Sequence, residues 1–333
     1  MEILPPTTAN LARAAAALDR GEIIGIPTET VYGLAGAALD ATALARIFAA
    51  KERPVFDPLI VHLPASGLDT PGVVGELAGA QRQTAVALAE RFWPGPLTLV
   101  LPRGDALPDL ATSGLPTVAV RRPRHPVAQA LLEAVGPLAA PSANRFGRIS
   151  PTTAADVAAE LTGRGVELVL DGGACPVGVE STIVAVGADG GLTLLRPGGL
   201  AASELGATLA VGVRGRTLAP GMLPSHYAPS KRLVLLDRPV AEMTEPPPAF
   251  PRCAGLLAFA PEAGPRLAAL TGARIVSETL DGHDLSAAAR GLFAALRRLD
   301  ASPAERLYAE PCPSQDGLGH AIADRLARAA HHG

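Results

Sequence analysis

The chain has 333 residues, a formal net charge of −3, a pI near 6.2 and 48% apolar residues. This length exceeds what one hydrophobic core usually serves, so it predicts two domains. No apolar run approaches the roughly 18–20 residues of a membrane span. The acidic balance also excludes an overall basic field of the kind that drives autonomous nucleic-acid binding.

The cysteines and the N-terminal residues restrict the class of protein further. Cys175, Cys253 and Cys312 lie far apart and form no CxxC pair, so neither a structural zinc site nor a disulfide framework is expected. The first residues have no basic stretch followed by an apolar core, and no small-residue cleavage site. We therefore expect a cytoplasmic protein.

The first 200 residues carry the pattern of an α/β domain. Residues 9–19 predict an amphipathic helix with Thr7 or Thr8 as N-cap and Gly21 just past its end. Further helices are predicted at 40–50, 81–91, 125–135 and 153–161. Short β-branched runs predict strands at 22–26, 59–63, 97–101, 117–120, 167–170, 181–186 and 192–195. Because the last three strands are consecutive, a mixed twisted sheet is expected.

The remaining residues predict a linker and a second domain. From about 196 to 231 the chain is rich in glycine and proline, with a weak helix near 201–210, and it holds Met222, His226 and Tyr227. Beyond it, predicted strands at 232–237, 254–259, 273–277 and 305–310 alternate with helices at 262–270, 285–299 and 319–330. This alternation predicts a small, mostly parallel Rossmann-like domain without the GxGxxG fingerprint. The predicted boundaries are 1–200, a linker at 201–231, and 232–333.

Several predicted strands are each followed directly by a polar segment. They are residues 27–30, 121–123, 141–144, 171–173 and 196–198. If most of these strand ends share one edge of the sheet, they form a single ligand cleft.

Cationic side chains indicate which kind of ligand this cleft would bind. Lys51, Arg53, Arg121 and Arg196 are expected to converge without matching carboxylates, which suits a polyphosphate. Lys51 stands out because only two of the 29 basic residues are lysines. The alternative is that these cations are ordinary solvated side chains.

Six residues with hydroxyl groups and one histidine could each have either a ligand-binding or a structural role. Thr28, Thr30, Ser142, Ser150, Ser181 and Thr182 are either ligand donors or turn residues and caps. His62 is either a ligand group or a core histidine with one satisfied nitrogen. No GxSxG elbow, phosphate-binding GxxxxGK[ST] loop or kinase motif set occurs. Residue chemistry alone therefore predicts a cytoplasmic α/β protein with an anion-binding cleft.

Eight ordered strings in this chain resemble one enzyme family. They are IPTETVYGLAG (26–36), KERPVFDPLIVHL (51–63), FWPGPLTLVL (92–101), TVAVRRPRHP (117–126), APSANRFGRISPT (140–152), GVESTIV (178–184), LLRPGG (194–199) and PGMLPSHYAP (220–229). Together they resemble the YrdC-type threonylcarbamoyl-AMP synthases. The strings LFAALRRLD (292–300) and GLGHAIADRLARAA (317–330) look like the extra domain of the longer, two-domain branch.

The resemblance implies a fold, a reaction and partners. The implied fold is a YrdC-like α/β domain with a positively charged central cavity. The implied reaction condenses L-threonine, bicarbonate or carbon dioxide, and ATP to threonylcarbamoyl-AMP and pyrophosphate, normally with Mg²⁺. A downstream tRNA threonylcarbamoyl transferase would receive the product, with at most weak tRNA contact by this chain.

The resemblance also implies site residues. Threonine is expected at Thr30, His62, Arg121, Ala140 and Ser181. ATP is expected at Lys51, Arg53, Asp57, Thr117, Ser142, Asn144, Ser150, Arg196 and Tyr227, with Lys51 and Arg53 as catalytic cations. Asp57 departs from the asparagine of many relatives, which puts its contact in question. Because Tyr227 lies in the linker, the linker is expected to fold over the site as a lid.

Two other functions compete with this interpretation. A double-stranded-RNA-binding protein would use a concave basic surface, but the acidic pI disfavours it. The related carbamoyl-transfer domain of hydrogenase maturation normally accompanies acylphosphatase and zinc-finger modules, and the scattered cysteines do not match those modules.

Overall fold

A computed structural model of the chain describes residues 1–205, 210–211, 223 and 225–331. Contacts divide the described residues into two units. The first unit takes those of Met1–Phe146 and Ser150–Met222, and the second takes those of Gly147–Ile149 and Leu223–Gly333. Much of the predicted linker at 201–231 lies outside the described residues, so its role as a lid stays a prediction.

Three helices of the first unit begin at polar residues that cap their backbone N–H groups. Thr7 accepts a hydrogen bond from the Asn10 backbone, Asp40 accepts one from Thr42, and Thr153 forms a capping box with Asp156. The helices are α1 (Thr8–Asp19), α2 (Ala41–Lys51), α3 (Gly79–Phe92), α4 (Asp109–Thr112), α5 (Pro126–Val135) and α6 (Ala154–Leu161). The predicted weak helix near 201–210 is wrong where the structure describes it, because Ala202–Leu205 is a short 3-10 turn and Ala210–Val211 is a strand.

The strands of the first unit form one mixed sheet of eleven strands within the described ranges. They are β1 (Glu2–Leu4), β2 (Ile24–Ile26), β3 (Gly33–Ala37), β4 (Ile60–His62), β5 (Leu97–Pro102), β6 (Thr117–Arg121), β7 (Leu138–Ala139), β8 (Leu168–Leu170), β9 (Thr182–Val186), β10 (Leu192–Arg196) and β11 (Ala210–Val211). Their order is β1-β8-β2-β3-β7-β4-β6-β5-β9-β10-β11. The predicted mixed sheet is confirmed.

Four strands and one short helix of the described residues were not predicted, and one of these strands is the two-residue β11, where a weak helix was expected. Strand β3 has the sequence GLAGA, which lacks β-branched residues. Its glycines allow close packing, since a Cβ at Gly33 would lie 3.2 Å from the Ala140 Cβ, and one at Gly36 would lie 3.2 Å from Ile47. Strands β1 and β7 and helix α4 are only three, two and four residues long, too short for a periodic signal.

Side chains alternate between two apolar clusters. Ile23 and Leu34 belong to the cluster that includes residues of α2, α3 and α6, whereas Ile24 and Ala35 belong to the cluster that includes residues of α1 and α5. This period-two alternation buries both faces of the central strands. The polar residues that follow these strands are thereby held on a rigid frame.

Strand direction corrects the expectation of a single edge. The register makes β2, β7 and β8 run one way, and β4, β6 and β10 run the other way. Segments 27–30, 141–144 and 171–173 therefore leave one edge of the sheet, whereas 121–123 and 196–198 leave the opposite edge. Strand direction alone does not gather the polar groups, so side-chain contacts must decide which of them meet.

The second unit has a parallel four-stranded sheet of order β12-β15-β13-β14. Its elements are β12 (Leu233–Leu235), β13 (Cys253–Ala258), α7 (Ala263–Thr271), β14 (Arg274–Thr279), α8 (Leu285–Ala301), β15 (Arg306–Ala309) and α9 (Leu318–Ala330). The predicted Rossmann-like alternation is confirmed. Over the described residues of both units, every helix is too short or too polar to cross a membrane.

Candidate active site

Lys51 lies at the last residue of α2 and is buried, with 1% of its surface exposed. The next residue, Glu52, adopts a left-handed conformation with φ 53° and ends the helix. The Lys51 Nζ donates to the carbonyl oxygens of Ser142 at 2.5 Å and Asn144 at 2.6 Å. The Lys51 side chain therefore holds the backbone of the loop after β7.

Burial strongly lowers the pKa of this lysine. Desolvation, and secondarily the positive charge of Arg53, hold the pKa of Lys51 well below its usual value. A buried amine of this kind gains its proton most readily when a nearby anion compensates the desolvation. Phosphate oxygens are anions that would do so.

Arg53 and Asp57 form a buried ion pair two residues beyond α2. Arg53 Nη2 lies 2.8 Å from Asp57 Oδ2, and Arg53 also donates to the carbonyl oxygens of Asp57 at 3.0 Å and Pro58 at 2.7 Å. Burial raises the pKa of Asp57, and the charges of Arg53, Lys51 and Arg196 act in the opposite direction. These couplings bring Lys51, Arg53 and Arg196 around one carboxylate.

Arg121 ends β6 and is held from three sides. Its Nε donates to the Gly95 carbonyl at 3.1 Å, its Nη1 donates to Thr30 Oγ1 at 2.8 Å, and its Nη2 lies 2.7 Å from Glu29 Oε1. The Thr30 hydroxyl also contacts Thr28 Oγ1 at 2.9 Å. The segment after β2 therefore reaches Arg121, although strand direction sets them at opposite edges.

The Arg121–Glu29 contact is close but not aligned as a hydrogen bond. Arg121 Nη2 and Glu29 Oε1 are both buried without an aligned hydrogen-bond partner among the described residues, despite the 2.7 Å separation. The other Glu29 oxygen, Oε2, accepts from the Arg124 backbone at 3.0 Å. The pair therefore keeps unused hydrogen-bonding capacity on both partners.

His62 contradicts the core-histidine alternative. It ends β4 directly beside Arg121 of β6, and both ring nitrogens are buried with no hydrogen-bond partner in the described part of the chain. Burial, and then the charge of Arg121, hold the pKa of His62 well below its usual value, so the ring is neutral. A neutral imidazole with two unused nitrogens has one donor and one acceptor for a ligand.

Ser181 and Arg196 meet at the start of β9 and the end of β10. Arg196 Nη2 donates to the Ser181 carbonyl at 2.9 Å and to Ser181 Oγ at 3.1 Å, and Thr98 Oγ1 lies 2.7 Å from Ser181 Oγ. Beside them, Ser150 Oγ donates to Glu180 Oε1 at 2.5 Å. Two expected nucleotide residues and one expected threonine residue thus lie at adjoining positions.

The expectation of cations without matching carboxylates is wrong. Asp57 pairs with Arg53, and Glu29 pairs with Arg121, at 2.8 Å and 2.7 Å. Each cation is buried, and a buried charge without a counter-charge would be strongly destabilising. The Asp57 carboxylate contacts Arg53, and its expected contact with the nucleotide stays a prediction.

Three further predicted residues have other surroundings. Thr117 begins β6, four residues and about 13 Å of strand before Arg121. Ala140 is buried, and its backbone donates to the Ile60 carbonyl at 3.0 Å. Tyr227 belongs to the second unit, where it is buried, has φ 63° and stacks on Phe293.

Sequence reasoning missed Glu29, Glu180 and Thr98. Glu29 and Glu180 each directly precede a predicted threonine-binding residue, Thr30 and Ser181. That repeated Glu-Thr and Glu-Ser placement was the available signal.

Known proteins match this chain along nearly its whole length. A family model named Sua5/YciO/YrdC, described as telomere recombination, matches residues 16–198. A second model, described as threonylcarbamoyl-AMP synthase, C-terminal domain, matches residues 200–331. The chain belongs to the Sua5/YciO/YrdC family.

Individual relatives of the Sua5/YciO/YrdC family carry the same two domains. A threonylcarbamoyl-AMP synthase of Pyrococcus abyssi is 38% identical over 95% of this chain and 93% of its own length. One of Bacillus subtilis is 38% identical over 96% of this chain and 92% of its own. The crystal structure of P. abyssi Sua5 complexed with L-threonine matches with a TM-score of 0.83 and 33% identity, over 99% of this chain and 98% of that one.

These matches confirm the family, its two-domain branch and the α/β fold predicted from sequence. The relatives' names favour the synthase over the double-stranded-RNA-binding alternative.

Proposed function

We propose that this chain is a threonylcarbamoyl-AMP synthase that condenses L-threonine, bicarbonate or carbon dioxide, and ATP to threonylcarbamoyl-AMP and pyrophosphate. The observation that carries the proposal is a group of buried polar atoms on Glu29, His62 and Arg121. Both His62 nitrogens have no hydrogen-bond partner in the described residues, and Glu29 Oε1 meets Arg121 Nη2 in an ion pair that is not aligned as a hydrogen bond. Buried polar groups are normally hydrogen-bonded, so such a cluster is typical of a ligand site. Its residues belong to a family whose Sua5 structure from P. abyssi is described with L-threonine.

The threonine subsite is proposed around Arg121. The Arg121 guanidinium would bind the substrate carboxylate, because charge-assisted contacts of this kind are strong in a buried setting. His62 offers a neutral donor and acceptor beside it, and Thr30 holds Nη1 of the arginine at 2.8 Å. Ala140 and Ser181 complete the proposed subsite.

The nucleotide subsite is proposed around Asp57. Lys51, Arg53 and Arg196 would neutralise the triphosphate, and Lys51 would also fix the loop bearing Ser142 and Asn144. The remaining proposed contacts are those of Asp57, Thr117, Ser150 and Tyr227. The proposed boundaries place these residues in the catalytic domain, 1–200, except Tyr227, which lies in the linker at 201–231 ahead of the domain at 232–333.

The chemistry needs positioning and charge neutralisation more than a nucleophilic side chain. The threonine ammonium group first loses a proton to water. The neutral amine then attacks carbon dioxide and releases a second proton, which gives a carbamate, and a carbamate oxygen attacks the α-phosphorus as pyrophosphate leaves. Lys51 and Arg53 would stabilise the charge that develops on the phosphate oxygens. Their buried surroundings make each such contact stronger than it would be in water.

Magnesium is proposed to arrive with ATP as part of the substrate. Mg²⁺ in nucleotide enzymes is commonly held by substrate phosphates, water and one or two carboxylates. In the residues the structure describes, no three His, Cys, Asp or Glu side chains gather as metal ligands. This arrangement fits a metal carried by the phosphates, and no protein ligand is assigned.

The product is a mixed anhydride that water destroys, so a partner must consume it. We propose a cytoplasmic location and transfer of the product to a tRNA threonylcarbamoyl transferase. Contact of this chain with tRNA is proposed to be weak, because its net charge is −3.

The test is pyrophosphate release with each substrate omitted in turn. Release is expected only when ATP, threonine and bicarbonate are all present. Release that persists without threonine would contradict the proposal, and so would tight binding of double-stranded RNA at physiological salt without any turnover.

A further inference from the structure

Glu29 is a buried carboxylate to which the sequence assigned no role. One oxygen, Oε2, is fixed by the Arg124 backbone N–H at 3.0 Å, and the Glu29 carbonyl accepts from the Val177 backbone at 2.9 Å. The other oxygen, Oε1, has no aligned hydrogen-bond donor among the residues described. An aligned hydrogen bond therefore holds only Oε2, and Oε1 is left with the ion pair to Arg121 at 2.7 Å.

The unused oxygen faces the unused nitrogen of Arg121. Glu29 Oε1 and Arg121 Nη2 lie 2.7 Å apart, and both atoms have no aligned hydrogen-bond partner in the described ranges. The Arg121 guanidinium is itself fixed by Gly95 and Thr30, at 3.1 Å and 2.8 Å. A negative and a positive group thus stand side by side, each with capacity for one more partner.

An α-amino acid has the complementary pair of charges. Its ammonium and carboxylate groups are borne on one carbon atom, so their spacing matches two binding groups that are in contact. A carboxylate on Arg121 would set the ammonium group against Glu29. Each new contact would be a charge-assisted hydrogen bond in a buried site.

We propose that Glu29 binds the ammonium group of the amino-acid substrate while Arg121 binds its carboxylate. This inference rests on the proposed function and assigns it a further binding residue. It gives Glu29 a role beyond that of counter-charge to Arg121. It also gives the site a physical basis for selecting α-amino acids over simple carboxylic acids.

The test compares two ligands that differ only in the amine. L-Threonine and (R)-3-hydroxybutyrate share the carboxylate, the methyl group and the hydroxyl group. Calorimetry on the full chain is expected to give wild-type binding of threonine at least about tenfold tighter than of the hydroxy acid. In Glu29→Gln this ratio is expected to fall to within about threefold of unity.

A structural role for Glu29 would give a different result, because both ligands would then lose affinity by the same factor and the ratio would stay at its wild-type value. That outcome overturns the inference, as does a wild-type protein that binds both ligands equally. Glu2→Gln is the matched control, since Glu2 pairs with Arg13 at 2.8 Å on the exposed surface, and its ratio is expected to equal the wild-type ratio.

Glu29→Asp provides a second test in case the Glu29→Gln variant does not fold. It keeps the negative charge but shortens the side chain by one methylene, so the ratio is expected to lie below the wild-type value, and an unchanged ratio overturns the inference. Failure of the proposed function is distinguishable, because wild-type protein would then release no pyrophosphate with threonine. An active wild type with an unchanged ratio in Glu29→Gln refutes only the role of Glu29.

Discussion

Glu310 in the second unit and Glu29 in the first are both buried carboxylates, yet their surroundings differ. Glu310 accepts from the Val240 backbone at 2.7 Å and from the Phe259 backbone at 2.8 Å, one bond to each oxygen. Glu29 has a backbone partner on one oxygen only. A fully satisfied buried charge ties two loops together, whereas a partly satisfied one keeps capacity for a ligand.

The two lysines repeat this contrast. Lys231 in the second unit is half-buried and donates to the Ser302 carbonyl. Lys51 in the first unit is buried among Arg53, Asp57 and two loop carbonyls, and its pKa is held well below the usual value by burial. In the second unit Glu310 and Lys231 bind backbone groups, whereas in the first unit Glu29 and Lys51 lie buried beside other charged side chains.

The largest expected effect is the loss of activity when Lys51 is removed. Lys51→Ala removes the amine that is proposed to meet the phosphates, and it leaves the carbonyls of Ser142 and Asn144 without this donor. Threonine-dependent pyrophosphate release is expected to fall by at least about a thousandfold, and Arg53→Ala should behave similarly. Lys231→Ala is the matched control and should change the rate less than about threefold. Normal turnover in Lys51→Ala would break the contrast between the lysines.

A smaller effect is expected when Arg121 is replaced by lysine. Arg121→Lys keeps the charge but loses the fork that contacts Gly95, Thr30 and Glu29 together. The KM for threonine is expected to rise about a hundredfold while the KM for ATP stays within about twofold. Equal changes in both KM values would instead indicate general damage to the first unit.

Glu310→Gln tests the structural side of the comparison. One oxygen acceptor and the negative charge are lost, so one of the two backbone N–H groups is left without its partner. The free energy of unfolding is expected to fall by about 1–2 kcal/mol, as measured by urea denaturation. The folded variant should keep the wild-type KM for threonine. A raised KM would show that Glu310 affects ligand binding, which would contradict its purely structural role.

The smallest expected effect is the pH dependence contributed by His62. Its folded pKa lies below the ordinary 6.5, so the unfolded chain binds the proton more readily and stability falls as pH drops through 6.5. One pH unit below that value the cost is about 1 kcal/mol. His62→Gln does not titrate, so the difference in free energy of unfolding between wild type and variant should shift by that amount between about pH 7.5 and pH 5.5. A constant difference would show that His62 titrates normally in the fold.

Local sequence signals predicted most of the helices and the longer strands. Caps at Thr7 and Thr153 and the β-branched runs of β5, β6 and β9 are local signals. The glycine-containing β3 and the two-residue β7 have no such signal, because they are stabilised by pairing with distant strands. Strand direction was unpredictable for the same reason, and it decides which polar segments share an edge.

The sequence predicted which types of residue form the site, and it did not predict which of them form ion pairs. Lys51 was identified because lysine is rare in this chain, and its burial confirms that it is not a solvated surface cation. The pairing of Arg121 with Glu29 depends on a loop after β2 reaching the end of β6, which no local pattern encodes. Carboxylates inside a cationic site therefore become recognisable only from the fold.

The most direct test of the account is to incubate the full chain with ATP, threonine and ¹³C-bicarbonate, followed by immediate mass analysis. The account predicts a threonylcarbamoyl-AMP ion carrying one labelled carbon, formed together with pyrophosphate and absent when threonine is omitted. Consumption of ATP without any labelled mixed anhydride, in protein that is folded and binds threonine, would contradict it.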